Sequence, residues 1–393
     1  MSIAENVSKS LAASSWIRKM FEEGARLKAR YGADNVYDFS LGNPNVPPPP
    51  AFKEALAETA ADSSIDHSYM PNTGYPETRA AVAAQVSKEQ NAALSESDII
   101  MTCGAAGGLN VTLKAILNPG EGVVAPAPFF VEYKFYAQNH GGEFTTAPVK
   151  PDFDLDIDAL DRTIGENTRA VIINSPNNPT GAVYPGQTLN RLGAMLSEKS
   201  AAFNRTIYLI ADEPYRKIVY DGMTVPPVFA AYPDSLVVTS YSKDLSLPGE
   251  RIGFIAVNPA ARHKDDLLAA MGFTNRVLGF VNAPALMQRV VAKIQGRHVD
   301  TAEYARKREL ICGILAECGY EFTKPMGAFY IFPRSPVADD VEFVKVLQDE
   351  RILAVPGSGF GGPGYLRLSF CVDDDTIKNA ATGFQAAMDN AKR

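Results

Sequence analysis

Four cysteines, four histidines and one tryptophan are all that 393 residues supply of the side chains most often recruited to disulfides, metals and indole stacking. Cys103, Cys312, Cys318 and Cys371 show no paired close spacing, and the histidines fall singly at 67, 140, 263 and 298, so neither a disulfide framework nor a zinc site is expected. No uninterrupted apolar run reaches the roughly eighteen residues of a membrane span, and Met1 to Ser10 carries charges in place of an apolar leader core. Positive charge is not in excess either. The 38 basic and 45 acidic residues leave −7, without long like-charge blocks, which argues against a nucleic-acid or anionic-membrane surface. The expectation is a cytoplasmic protein acting on small polar ligands, with no metal, nucleic-acid or membrane partner.

The length exceeds the usual limit of one hydrophobic core, so two domains are expected. Residues Ser15 to Tyr31 read as an amphipathic helix with Ile17, Met20, Phe21, Ala25 and Lys28 on one face, Ser14 or Ser15 as cap and Gly32 just past its end. Pro47 to Pro50 then reads as an extended linker at a domain boundary. From Ala51, helices expected at 51–60, 76–90, 104–117, 129–140 and 185–203 alternate with apolar strands. The strands fall at Ile99 to Thr102, Gly122 to Ala125, Arg169 to Asn174, Ile207 to Ala211, Leu236 to Ser240 and Ile252 to Val257. Several of these are continuous apolar runs, the pattern of a mostly parallel sheet covered on both faces, hence an α/β layered domain.

After about residue 280 the spacing predicts helices at 282–295 and 300–318, then a strand from Gly327 to Phe332 and a helix from Val341 to Asp349. A strand pair, Ile352 to Val355 with Tyr365 to Phe370, precedes a last helix at 374–391. This is the pattern of a smaller α+β domain. The division expected is an N-terminal arm and part of the small domain at 1–46, a large domain at 47–295 and the small domain at 296–393.

Chemistry-bearing residues cluster where apolar strands end, the edge at which open parallel sheets bind ligands. Thr102 to Gly108 is a run of small residues between a strand and a helix, suited to backbone N–H contact with an anion or to a tight turn. Asn174-Ser175-Pro176-Asn177-Asn178-Pro179-Thr180-Gly181 is a stiffened loop that can fix an amide donor. Asp212, directly after Ile207 to Ala211, is a costly place for a charge unless a cation answers it or it caps a helix. Ser240-Tyr241-Ser242-Lys243 places a lysine at a strand end, where partial desolvation lowers its pKa and makes it a nucleophile; Arg251 follows eight residues later.

Two rival motifs are weighed against this. The tetrad also fits the S-x-x-K pattern of serine acyl-enzymes, but no S-D-N or K-T-G follows. Gly357 to Gly362 fits G-x-G-x-x-G, but Pro363-Gly364 blocks the helix a dinucleotide site requires.

Taken together, in order and spacing, these motifs resemble the class I/II aminotransferases, pyridoxal-phosphate enzymes of the aspartate aminotransferase fold. The resemblance runs from Ser40-Leu41-Gly42 to Leu366-Arg367-Leu368-Ser369-Phe370. It implies a seven-stranded-type, mostly parallel sheet between helices in the large domain, and a small domain drawn from both chain ends. It implies transfer of an amino group from an L-amino acid to a 2-oxo acid by a ping-pong Schiff-base mechanism. A C-S β-lyase, decarboxylase or racemase on the same fold is the nearest alternative, a non-catalytic cofactor-binding regulator a remote one.

By resemblance, Lys243 carries pyridoxal 5′-phosphate and shuttles the proton, Asp212 faces the pyridine nitrogen, and Tyr215 and Asn178 donate to the phenolic oxygen. Phe130 stacks on the ring where many members carry tryptophan. Ser240, Arg251 and the helix start at Gly104, Ala105 and Ala106 take the phosphate, and Tyr69 reaches the phosphate of the partner in a homodimer. Arg367, with Gly42 and Asn178, takes the substrate α-carboxylate. No arginine matches the one that dicarboxylate-specific members use for the distal carboxylate; Val277 lies there, with Arg276 adjacent.

Overall fold

The computed structural model describes residues 3–5, 7–8 and 16–391. In chain order the elements are α1 (Trp16–Tyr31), β1 (Tyr37–Asp38), α2 (Pro50–Ala61), α3 (Pro76–Gln90), β2 (Ile99–Thr102), α4 (Gly104–Ile116), β3 (Gly122–Ala127), α5 (Glu132–Asn139) and β4 (Glu143–Pro148). They continue with α6 (Ile157–Thr163), β5 (Thr168–Asn174), α7 (Gly186–Ala202), β6 (Tyr208–Asp212), β7 (Ser235–Ser240), the single turn α8 (Tyr241–Asp244), β8 (Gly253–Val257), α9 (Lys264–Val277) and α10 (Ala285–Lys293). The last group is α11 (Thr301–Glu317), β9 (Tyr330–Ile331), α12 (Asp340–Asp349), β10 (Ile352–Leu353), β11 (Val355–Pro356), β12 (Leu366–Ser369), α13 (Asp374–Asn379) and α14 (Ala381–Ala391).

Seven strands form one sheet in the order β2-β8-β7-β6-β5-β3-β4, with only β8 antiparallel to its neighbours. The continuous apolar runs arise because both faces are covered. On β5, Val171 and Ile173 pack into one core while Ala170 and Ile172 pack into the other. Helices α2, α3, α7 and α10 cover the first face, and α4, α5 and α9 the second. A third core gathers Met20, Phe39 and Val46 from one chain end with residues from Val299 onward at the other. The ends are stitched together where β1 pairs in parallel with β10, Tyr37 opposite Ile352 and Asp38 opposite Leu353. Among the described residues no helix is long and apolar enough to cross a membrane.

Several expectations are corrected. The first helix buries Met20, Gly24 and Leu27 and leaves Ala25 exposed, so its inner face is rotated from the one expected; Ser14, Ser15 and the side chains of Ile17 and Phe21 lie outside the described residues. Pro50 opens α2 instead of ending a linker, because the first helical position needs no N–H. The run at Ile352 splits: Ile352–Leu353 pairs with β1, and only Val355–Pro356 pairs with β12. The strand expected from Gly327 to Phe332 contracts to Tyr330–Ile331, and the last helix breaks into α13 and α14. The helix expected from 129 begins at Glu132, and strand β4 with helices α6 and α9 are additional.

The turn after β2 touches β7 and β8 backbone to backbone. A Cβ on Gly253 would stand 2.4 Å from the Thr239 carbonyl and 2.9 Å from the Gly104 carbonyl carbon. Gly253→Ala is expected to destabilise the chain by ~1–3 kcal/mol through overpacking that cannot relax. A chemical denaturation midpoint equal to that of the native protein would contradict this close approach.

Candidate active site

The strand ends place the site. β5, β6 and β7 run in register, with Asn174 opposite Asp212 and Asp212 opposite Val238, so their last residues open on one edge of the sheet. There a cavity of about 190 Å³ is lined by Ala105, Ala106, Phe130, Asn178, Asp212, Tyr215, Ser240, Lys243 and Arg251, all expected from sequence.

Lys243 rises from the one-turn helix after β7. Its ammonium donates to the Gly42 carbonyl at 2.7 Å and lies 5.5 Å from the Phe329 ring centre. Burial lowers its pKa to about 8; the nearby Cys371 thiol opposes that shift, and the positive charges of Arg367 and Arg251 reinforce it. Amine nucleophilicity near neutral pH follows directly.

Asp212 closes β6 almost entirely buried. Its Oδ2 accepts from the Tyr133 hydroxyl at 2.5 Å, while Oδ1 is buried with no hydrogen-bond partner among the described residues. Burial raises its pKa to about 7; the Tyr133 bond pulls it down and the Glu213 charge pushes it up. A half-satisfied buried carboxylate is a receptor for a cationic donor. Beneath it, the Asn174 amide donates to the Asp212 carbonyl at 2.8 Å, and its oxygen accepts the Asn178 N–H at 2.7 Å.

Arg367 comes from β12 and is 2 % exposed. Its guanidinium donates to the Ser40 carbonyl at 2.6 Å and to Asn178 Oδ1 at 3.2 Å, between the rings of Tyr330 and Phe360 at 4.8 and 4.6 Å. Its Nε has no partner among the described residues. Tyr215 and Tyr330 share a hydroxyl contact at 3.1 Å, and burial, opposed by the Arg367 charge, pushes Tyr330 up to about 12. Gly42 is compulsory beside them, since a Cβ there would stand 1.8 Å from the Tyr330 hydroxyl oxygen.

Gly104 starts α4 at φ +71°, no side chain caps that helix, and its first-turn residues Ala105 and Ala106 line the cavity together with Arg251. A Cβ on Gly104 would lie 2.7 Å from Arg251 Nη2. Arg251, itself at φ +53°, is anchored by donation from Nη1 to the Pro248 carbonyl at 2.9 Å.

Tyr69 stands apart, 92 % exposed on the surface of the single chain, and Val277 is exposed as well. Residues 357–360 form a short 3-10 turn instead of a dinucleotide loop. Sequence reasoning missed Tyr133, Tyr330 and the structural role of Asn174. Tyr133, three residues beyond Phe130, carried no strand-end signal, and the Tyr330 contacts cross between chain segments far apart in sequence.

The family model for aminotransferase class I and II matches residues 34–384. A probable aspartate/prephenate aminotransferase of Aquifex aeolicus is 31% identical over 372 residues, covering 90% of this chain and 91% of that protein. Among solved structures, an amino transferase from Eubacterium rectale superposes with a TM-score of 0.96 at 39% identity over 100% of both chains. An aspartate aminotransferase from Thermus thermophilus with maleate superposes with a TM-score of 0.85 at 25% identity, covering 98% of this chain and 100% of that one.

The burial of Lys243 has a direct readout. In the chain without added cofactor, labelling of Lys243 by a small acylating reagent is expected to rise with pH to half its maximum at about 8, because only the neutral amine reacts. A midpoint at the ordinary lysine value of about 10.4 would contradict the desolvated site.

Proposed function

This chain belongs to the class I and II aminotransferases, enzymes that use pyridoxal 5′-phosphate to move an amino group from an L-amino acid to a 2-oxo acid, and from that premise we propose how its residues divide the work. The observation that carries the assignment is the pairing of a buried, half-satisfied Asp212 with a desolvated Lys243 across one cavity. An orphaned carboxylate oxygen, an amine, uncapped helix N–H groups and an arginine are the donor set that a cationic ring bearing an aldehyde and a phosphate requires.

Lys243 would hold the cofactor covalently and Asp212 would keep its ring nitrogen protonated, with Tyr133 fixing the Asp212 carboxylate in place. Ser240, Arg251 and the α4 start at Gly104, Ala105 and Ala106 hold the phosphate by charge-assisted bonds. Tyr215 and the Asn178 amide donate to the phenolic oxygen, and Phe130 covers the ring face. When bound, the cofactor supplies an electron sink for the pair left at the substrate Cα. Lys243, whose amine is desolvated at the cavity, would be the base that takes the Cα proton. Arg367 holds the substrate α-carboxylate, oriented by Asn178 and by the Ser40 carbonyl, while Gly42 lets that strap pass close to Tyr330.

The division into an arm at 1–46, a large domain at 47–295 and a small domain at 296–393 belongs to the same proposal, supported by the core that joins both chain ends. So does a homodimer in which Tyr69 reaches the phosphate of the partner subunit, supported by its exposure on the single chain and by that of the large apolar residues Phe273 and Val277. A cytoplasmic location is supported by four unpaired cysteines. The three relatives named above are aminotransferases, which leaves lyase, decarboxylase, racemase and regulator readings without a favouring observation.

Purified protein given pyridoxal phosphate is expected to show the visible absorbance of lysine-bound cofactor and to lose it on adding an amino-acid substrate, with a 2-oxo acid restoring it. Lys243→Ala removes the band and lowers turnover by about 10³-fold; full activity in that variant would end the assignment. Arg367→Lys raises the amino-acid KM by roughly tenfold or more, because the bidentate fork is lost, and leaves cofactor absorbance in place. An unchanged KM would remove Arg367 from the carboxylate site.

A further inference from the structure

Asp212 and Lys243 are each followed by a buried acid that does not line their cavity. Glu213 and Asp244 line instead a second, smaller cavity of about 20 Å³, and Ser240 lines both. Two cations answer these acids. Arg216 Nη1 meets Glu213 Oε2 at 2.7 Å, and its Nη2 donates to the Glu89 and Val225 carbonyls at 2.7 and 2.9 Å. Lys217 Nζ lies 3.3 Å from Asp244 Oδ2 and 3.7 Å from Glu89 Oε1, in the last turn of α3. Burial works against the charge on Lys217, and the Asp244 and Glu89 carboxylates more than offset it. Asp244 Oδ1 is buried without a partner, so among the described residues Lys217 is the one cation in contact with that carboxylate.

Asp244 closes α8, the single turn that carries Lys243. A helix of four residues has almost no bonding of its own, so its direction is set from outside. The Val299 N–H donates to the Asp244 carbonyl at 2.7 Å, and the Gln295 amide donates to the Tyr241 hydroxyl at 2.8 Å. These contacts hold the two ends of the turn. The Lys217 contact is the one that grips the side chain directly after Lys243, on the side away from the cofactor cavity.

We propose that Lys217 is a positioning residue: its ion pair with Asp244 locks α8 from behind and so aims Lys243 into the cavity. The consequence for amino transfer rests on the aminotransferase reading; the aim of Lys243 itself does not. Removing one partner of a buried pair leaves the other charge unanswered, and the turn that bears it must then shift toward water. Lys243 would keep its chemistry and lose its direction.

Cofactor-loaded Lys217→Met is expected to keep its visible absorbance and its amino-acid KM while kcat falls about tenfold, because a slightly misplaced reacting group is costly. Lys217→Arg regains most of that loss. In a cycle with Asp244→Asn the double variant is expected to lose about tenfold, not about a hundredfold, since both single changes break the same contact. Native kcat in Lys217→Met, an arginine variant no better than the methionine one, or losses that multiply, overturns the proposal. Should Lys217→Met not fold, Asp244→Asn decides through acylation of Lys243 in the chain without added cofactor. Loss of a negative charge would by itself lower the pH of half-maximal labelling, whereas release of α8 toward water raises it above about 8, with Arg251, Arg367 and Cys371, the groups that act on Lys243, unchanged. A midpoint that stays or falls overturns the proposal. A midpoint that rises in a protein whose native form converts no amino acid upholds the aiming of Lys243 and removes the aminotransferase reading alone.

Discussion

Burial of Asp212 at the end of β6 sets the terms for everything around it. A carboxylate taken from water needs donors for both oxygens, and the chain supplies one, the Tyr133 hydroxyl, leaving Oδ1 bare. Such an unmade bond costs about 1–3 kcal/mol, a cost that a cationic donor would remove. Lys243 is the complementary case. Its ammonium is desolvated and meets only the Gly42 carbonyl and the face of Phe329, contacts too weak to hold its proton at ordinary affinity. One group waits for a proton and the other sheds one, and the cavity between them is shaped accordingly.

That geometry depends on the sheet. Parallel pairing of β5, β6 and β7 brings Asn174, Asp212 and Ser240 to a common edge, and the antiparallel β8 lies close enough to β7 that only glycine fits at 253. The surroundings of Arg367 are assembled differently. Arg367 arrives on β12, near the C-terminus, and donates to Ser40, near the N-terminus, so the two chain ends must meet before the arginine has its orientation. Pairing of β1 with β10 and the Ser369 N–H bond to the Phe39 carbonyl at 2.8 Å enforce that meeting. The Asp212 and Lys243 side thus follows from local strand order, the Arg367 side from long-range closure.

The same distinction governs what could be read from the sequence. Strands buried on both faces announce themselves as apolar runs, and charges at their ends stand out because burial makes them expensive, so Asp212 and Lys243 were legible. Strand β4 was not, because Glu143–Pro148 is an edge strand with most of its side chains exposed and no apolar run. Helix α9 was hidden by Phe273 and Val277, exposed apolar residues that blur an amphipathic pattern. The strands β1 and β10 are two residues each, stable only through a partner more than three hundred positions away. Tyr133 and Tyr330 belong to that class as well: nothing in their neighbours in sequence marks a hydroxyl that packs against a group from another segment.

On the proposed function, the half-satisfied Asp212 would hold a proton on the nitrogen of a bound ring. The nitrogen-15 chemical shift of ring-labelled pyridoxal phosphate in the loaded enzyme measures this directly. The account predicts a protonated ring nitrogen throughout the neutral range in the native protein and a neutral pyridine nitrogen in Asp212→Ala. A neutral ring nitrogen in the native enzyme, or a protonated one that survives loss of the carboxylate, would contradict it.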